Sequence, residues 1–144
     1  LYVNDVENFK NFKINYSNKK NLVCRKKSGG GEIKDLLFRL AYHDFYLIYK
    51  YVSGKKVHTI KLLEKENYLS FSLYFDEVPF EFLYNVNSSE RTHTINDTNF
   101  SSQKDVLYKM FKTVLNEEFS FNYNQQITLF TNKLIDLLKK NFNF

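Results

Sequence analysis

Positively charged side chains in this sequence concentrate in short polar segments that separate aromatic, strand-like runs. The candidate binding residues are Arg25, Lys26, Lys27, Lys34, Lys55 and Lys56, and Lys19 and Lys20 extend the pattern. A lysine near an anionic membrane surface contributes about 1 kcal/mol, so several together make a weak anchor. The net charge of +5 likewise favours acidic partners over basic ones. The alternative is that these charges only keep the protein soluble.

Residues able to perform catalysis are present, but their spacing does not assemble an active site. The three histidines lack the spacing of metal ligands and are predicted to lie on turns or strand surfaces; they are His43, His58 and His93. Asp76 and Glu77 are adjacent carboxylates of the kind that acid–base catalysis uses, but their loop setting favours a solvated turn. We therefore predict a protein that is not an enzyme and that needs no cofactor or metal.

The only cysteine, Cys24, excludes an intrachain disulfide, which suits a reducing compartment. Its thiol has two interpretations. A small buried hydrophobe is the common one. The other is a reactive thiolate, since the cationic residues 25–27 would lower its pKa.

Three of the four glycines form one tract, Gly29–Gly31, directly after Ser28. In a chain so poor in glycine, this tract predicts an inserted, mobile linker that makes no ligand contacts. A phosphate-cradling loop would need a following Gly-Lys-Ser/Thr or a G-x-G-x-x-G pattern, and the sequence has neither.

The elements that must position these residues are strands followed by helices. Apolar alternation and turn signals predict strands in segments 12–16, 21–27, 37–40, 45–51, 57–62, 67–75, 80–86 and 91–95. A tight turn is predicted at residues 53–56, because Gly54 can adopt a positive φ.

The clearest amphipathic helix spans residues 101–119 and is expected to plug the open end of a bent sheet. Its apolar stripe consists of Val106, Leu107, Met110, Phe111, Val114 and Leu115. A second helix is predicted at residues 125–141, with a stripe of Ile127, Phe130, Leu134, Leu137 and Leu138. A short helix is also predicted within residues 1–11.

The order of these elements resembles the pleckstrin-homology family. Phe38-Arg39-Leu40 and the run 46–51 resemble that family's first hairpin, and Phe80-Glu81-Phe82 with residues 91–95 resembles a later strand pair. The resemblance covers residues 21–115. It implies an α+β fold, namely a bent antiparallel β-barrel or sandwich of about seven strands closed by a C-terminal helix. Phe111 stands where that helix usually carries tryptophan.

The resemblance also implies a function and a partner. We expect a single domain over residues 1–144, with a core at about 12–118 and the extra helix at about 125–141. The expected ligands are anionic phospholipids, bound by the candidate binding residues. Leu36 stands where phosphoinositide-binding members carry a basic residue and Lys34 keeps the other. That pattern favours charge density, as in phosphatidic acid or mixed phosphoinositides, over one inositol head group.

The sequence also leaves one alternative function open and argues against nucleic-acid binding and a membrane span. The alternative function is a protein-interaction module of the same fold, which binds a partner at a strand edge or helix groove. Nucleic acid is not expected, since the aromatic residues read as strand residues.

The sequence has no run of 18 apolar residues, so we predict no transmembrane segment and a peripheral location on a cytoplasmic membrane face. The chain does not begin with Met and is expected to be an excised domain.

Overall fold

A computed structural model of the protein describes residues 12–100, 115–116 and 121–144. The predicted helix within residues 1–11 and most of the predicted helix at 101–119, Phe111 included, lie outside the described residues. Leu115 belongs to the apolar stripe of the latter, and its side chain is 80% exposed. The prediction that Leu115 packs in the core is therefore wrong.

The described residues form an α+β fold around one mixed sheet of six strands. The strands are β1 (Asn21–Lys26), β2 (Val57–Glu64), β3 (Leu69–Phe75), β4 (Val78–Asn85), β5 (Thr92–Ile95) and β6 (Thr98–Asn99). Their order across the sheet is β2-β3-β4-β1-β5-β6. β1 pairs in parallel with β4 and antiparallel with β5, and the other neighbours are antiparallel.

The segment predicted as the first hairpin is helical instead. A 3-10 turn (Ile33–Asp35) and a π-helical turn (Leu37–Ala41) lead into helix α1 (Tyr42–Val52). The strands predicted at 37–40 and 45–51 are therefore wrong. A continuous apolar run fits a buried helix as well as a buried strand, so its periodicity could not decide between them. The turn at 53–56 exists, with Gly54 at φ 79°, but it joins α1 to β2.

The sheet is not closed into a barrel, which corrects the predicted barrel architecture. Because residues 37–51 are helical, the sheet has two strands fewer than predicted in that segment. In the observed order β2 and β6 lie at opposite edges of the sheet and do not pair with each other. Residues 12–16 form no strand, although Phe12 and Ile14 are buried while Lys13 is exposed. The strands predicted between residues 57 and 95, and that at 21–27, are confirmed with small shifts of their ends.

Helix α2 (Phe121–Phe142) packs beside α1 on one face of the sheet. The aromatic rings of Phe71 and Phe82 stack at 4.9 Å, and Phe45 of α1 and Phe142 of α2 meet them edge-on or tilted at 5.3 and 5.4 Å. The C-terminal helix prediction is thus confirmed. Its stripe is partly wrong, since Leu137 is 38% exposed and Ile135, which the pattern missed, is buried.

Candidate functional site

The sheet separates the candidate binding residues between its two ends. We call the end where β1 begins the upper end and the end where β1 finishes the lower end. Lys26 is the last residue of β1 and lies at the lower end together with Lys27. Lys55 and Lys56 precede β2, whose first residue pairs with the last residue of β3, and so they lie at the upper end. The six residues of β1 span about 20 Å, so the candidate binding residues do not share one surface.

Arg25 belongs to the interior of the fold rather than to a surface. Its guanidinium binds the carboxylate of Asp44 in α1, with Nε to Oδ2 at 2.9 Å and Nη2 to Oδ1 at 2.8 Å. The side chain of Arg25 is 19% exposed and that of Asp44 is 0% exposed. A bidentate pair of this kind fixes both partners, so Arg25 is held facing α1 and away from any flat anionic surface.

Asp44, Arg25 and His93 form a buried ion cluster between α1, β1 and β5. His93 Nε2 lies 2.7 Å from Asp44 Oδ1, and Arg25 and His93 are directly opposite on adjacent strands. Burial by itself would raise the pKa of Asp44, but the positive charge of Arg25 and the contacts with His93 hold that pKa well below its ordinary value. The cluster therefore clamps the first turn of α1 onto the sheet.

Tyr84 completes the surroundings of this cluster on β4, where it lies opposite Arg25. Its hydroxyl is fully buried and has no hydrogen-bond partner of normal geometry among the residues that the structure describes. Burial raises the pKa of Tyr84 well above its usual value, and the charge of Asp44 acts in the same direction. The sequence offered one signal for the cluster, a lone carboxylate within the apolar run 42–52, and our sequence reading missed it.

At the lower end, two of the cationic side chains have acidic partners. Lys26 Nζ lies 3.0 Å from Glu90 Oε2, and Lys34 Nζ lies 2.7 Å from Glu32 Oε2. These exposed pairs contribute little to stability, but each one neutralises a positive charge at that end. The lower end is therefore a mixed-charge surface.

At the upper end, two loops bring four lysines together, and we call Lys19, Lys20, Lys55 and Lys56 the upper basic surface. Lys20 pairs with Glu81 at 2.7 Å, and Lys55 lies at a looser 3.9 Å from Asp76. The side chains of Lys19 and Lys56 are exposed, and neither makes an ion pair with the residues that the structure describes. β2 and β1 are three strand spacings apart, or about 14 Å, so the surface is broad rather than pocket-like.

The loop at residues 53–56 and the start of β2 are tied to the turn between β3 and β4. The Lys56 backbone N–H donates to Asp76 Oδ1 at 3.0 Å, and the Asp76 N–H donates to the Lys56 carbonyl at 2.8 Å. His58 Nε2 lies 2.7 Å from the Asp76 carbonyl oxygen, and its ring stacks on Tyr74. Asp76 thus orders the loop that carries Lys55 and Lys56, and its side chain is half exposed as the turn prediction expected.

The histidines lie in separate environments among the described residues. His93 is only 13% exposed and belongs to the buried ion cluster, so its predicted surface position is wrong. His43 is half-buried, and burial lowers its pKa. Within the described residues, no group of three or more His, Cys, Asp or Glu could hold a metal ion.

The remaining predictions concern Cys24 and the glycine tract. Burial raises the pKa of the Cys24 thiol, which disfavours the reactive thiolate that its cationic neighbours suggested. In the glycine tract, Gly30 N–H donates to the Val86 carbonyl at 3.0 Å, and Arg39 Nη1 donates to the Gly30 carbonyl at 3.2 Å. The mobility of this tract and its lack of ligand contacts stay predictions.

Comparison with known proteins adds no family to this description. No model of a known protein family matches the sequence, and a search of curated proteins finds no match. Among residues 12–100, 115–116 and 121–144, no helix combines the length and the apolar character needed to cross a membrane.

Proposed function

We propose that the protein is a non-catalytic module that binds anionic phospholipid head groups at a membrane surface through the upper basic surface. The observation that carries the proposal is that two lysine pairs from separate loops lie at the same end of the sheet. The pleckstrin-homology resemblance adds little support, because the segment that suggested its first hairpin is helical. The proposal therefore rests on charge and topology.

The upper basic surface is suited to charge density rather than to one stereospecific head group. Its lysine pairs belong to strands three spacings, or about 14 Å, apart in the sheet. Lys20 and Lys55 have acidic partners, so Lys19 and Lys56 supply the uncompensated charge, and at about 1 kcal/mol each they give about 2 kcal/mol of weak, salt-sensitive binding. Phosphatidic acid and mixed phosphoinositides are both acceptable ligands. Stable anchoring would need a second membrane signal in the parent protein.

Cosedimentation with vesicles tests this proposal. The wild-type protein is mixed with phosphatidylcholine vesicles, with and without about 30% phosphatidic acid, at low ionic strength and at about 0.15 M, where the Debye length is about 8 Å. We expect binding only to the anionic vesicles and weaker binding at the higher ionic strength. The variant Lys55→Glu/Lys56→Glu is expected to lose about 10-fold or more in affinity, since it removes the unpaired Lys56, worth about 1 kcal/mol, and adds two carboxylates to the same surface.

The matched control reverses the same number of charges at the lower end, in Lys26→Glu/Lys27→Glu. Both variants change net charge equally, so a non-specific effect of net charge would weaken both alike. We expect the control to stay within about fivefold of the wild type, since a lower-end lysine faces away from the bilayer. Equal losses in both variants, or no binding by the wild type at low ionic strength, would overturn the proposal.

A protein-interaction module remains the second candidate, and one observation favours it. Leu129 and Leu137 project from α2 into solvent two turns apart, and Phe38 is 47% exposed under the ammonium group of Lys139. Isolated apolar side chains are common on protein surfaces, so this observation is weaker than the lysine convergence. If the wild type ignores anionic vesicles, this candidate takes over.

A further inference from the structure

The upper basic surface carries the same four-residue pattern twice. Ser17-Asn18-Lys19-Lys20 precedes β1, and Ser53-Gly54-Lys55-Lys56 precedes β2. Each consists of a serine, one spacer residue and two lysines. Because β1 and β2 both begin at the upper end, the topology brings two segments 36 residues apart in sequence to the same end.

Both serines are exposed and lie in connecting segments. Ser17 begins a bend, and Ser53 follows the last residue of α1, with its backbone N–H donating to the Tyr49 carbonyl at 2.8 Å. Loops that are exposed and positioned by a rigid scaffold are where modifying enzymes gain access. Two lysines placed two and three residues after a hydroxyl complement the acidic substrate groove of a kinase that prefers basic sequences.

We propose that Ser17 and Ser53 are phosphorylation sites that switch off membrane binding, a regulation that rests on the proposed function of the same surface. A protein kinase transfers the γ-phosphoryl group of ATP to the serine. The Oγ–P bond forms as the bond between that phosphorus and the β-γ bridging oxygen breaks, the hydroxyl proton passes to the kinase's base, and ADP leaves. The product is a serine phosphate of about −1.5 to −2 charge within three residues of two lysines.

The added phosphate acts by electrostatics at the same place where the membrane would bind. Each phosphate offsets about two lysine charges, and a lysine near an anionic bilayer is worth about a fivefold change in affinity. One phosphate is therefore expected to weaken vesicle binding by about 10- to 30-fold. At Ser53 the phosphate also meets the negative end of the α1 dipole, which favours its turning toward Lys55 and Lys56.

The first experiment asks whether the serines are modified. The purified protein is incubated with Mg-ATP and the catalytic fragment of protein kinase C, which selects serines followed by basic residues, and the phosphorylated positions are mapped by mass spectrometry. We expect phosphate at Ser17 and Ser53 in the wild type, and the peptides carrying these two positions to be unmodified in the Ser17→Ala/Ser53→Ala variant. Phosphate absent from both serines would overturn their assignment as phosphorylation sites.

The second experiment asks what the phosphate does. Phosphoserine is incorporated at position 17 or 53 during synthesis, and binding is measured on vesicles of phosphatidylcholine with about 30% phosphatidic acid. The control carries phosphoserine at position 28, which adds the same charge beside Lys26 and Lys27 at the lower end. We expect loss of binding at 17 and 53 and little change at 28. Equal effects at all three positions, or no effect at 17 and 53, would contradict the switch.

The two experiments separate this inference from the proposed function. If unmodified protein fails to bind the vesicles, the proposed function is wrong and the switch falls with it, whatever the phosphate map shows. If unmodified protein binds but the phosphorylated forms bind equally well, only the switch is wrong.

Discussion

The contact between Arg25 and Asp44 places Arg25 in the interior of the fold, whereas the sequence suggested that Arg25 binds a ligand. Arg25 stands in a run of three cations and looks like part of a surface patch, yet its guanidinium is committed to a carboxylate 19 residues away. The alternation of a strand explains the difference, because Arg25 points to the helix side of the sheet while Cys24 and Lys26 point to the other side. Consecutive charged residues on a strand therefore point alternately to the two faces of the sheet.

Substitution of Asp44 is expected to lower stability in a pH-dependent manner. Asp44→Asn leaves the guanidinium of Arg25 buried without its charge partner and should cost about 3–5 kcal/mol near pH 7. Because the pKa of Asp44 is lowered in the folded protein, the stability that it contributes is present above the unfolded pKa of about 3.9 and is lost as pH falls toward the folded value. Urea unfolding from pH 7 to pH 3 should show the difference between wild type and variant narrowing below about pH 4.

The control for that measurement is Glu77→Gln, which removes an exposed carboxylate at the tip of the turn between β3 and β4. It should leave the free energy of unfolding within about 0.5 kcal/mol of the wild type. A loss in Asp44→Asn that stays constant from pH 7 to pH 3 would contradict an ionised Asp44 in the buried ion cluster.

At the scale of elements, the sequence predicted the strands well and the first helix badly. β3 has apolar residues at every second position, and its four members on the core face are all buried: Leu69, Phe71, Leu73 and Phe75. Such alternation predicts a β-strand with one buried face. In the 36–52 segment most residues are apolar or aromatic, so the segment shows no alternation of apolar and polar residues. Leu36, Leu40 and Ile48 do have helical spacing, but the several tyrosines, which favour strands, led to the strand prediction.

Helix α1 should be needed for the stability of the whole sheet. Phe45 is fully buried with its ring 5.3 Å from Phe82, so Phe45→Ala is expected to cost about 3–5 kcal/mol. Phe38→Ala is the matched control, since Phe38 is 47% exposed and should cost about 1 kcal/mol or less. Urea unfolding of both variants measures the difference. Similar losses in the two would argue against α1 covering the sheet.

At the scale of the whole molecule, the sequence identified the cations but could not say which of them share a surface. That assignment depends on strand order and direction, and above all on the parallel pairing of β1 with β4. With the antiparallel barrel that the sequence suggested, the loops carrying Lys26 and Lys55 would have met at one end. The observed topology separates them and instead joins Lys55 and Lys56 with Lys19 and Lys20. The orientation that we propose for the molecule on a bilayer follows from this pairing.

That orientation can be measured directly with two labelled forms of the protein. In a Cys24→Ser background, a fluorophore is attached at Asn18→Cys at the upper end or at Ser89→Cys at the lower end, both exposed positions. The labelled proteins are bound to vesicles of phosphatidylcholine with about 30% phosphatidic acid. Part of the phosphatidylcholine carries a spin label on its head group, which quenches a nearby fluorophore. We predict strong quenching of the probe at position 18 and little at position 89. Equal quenching at both positions, or stronger quenching at position 89, would contradict binding through the upper basic surface.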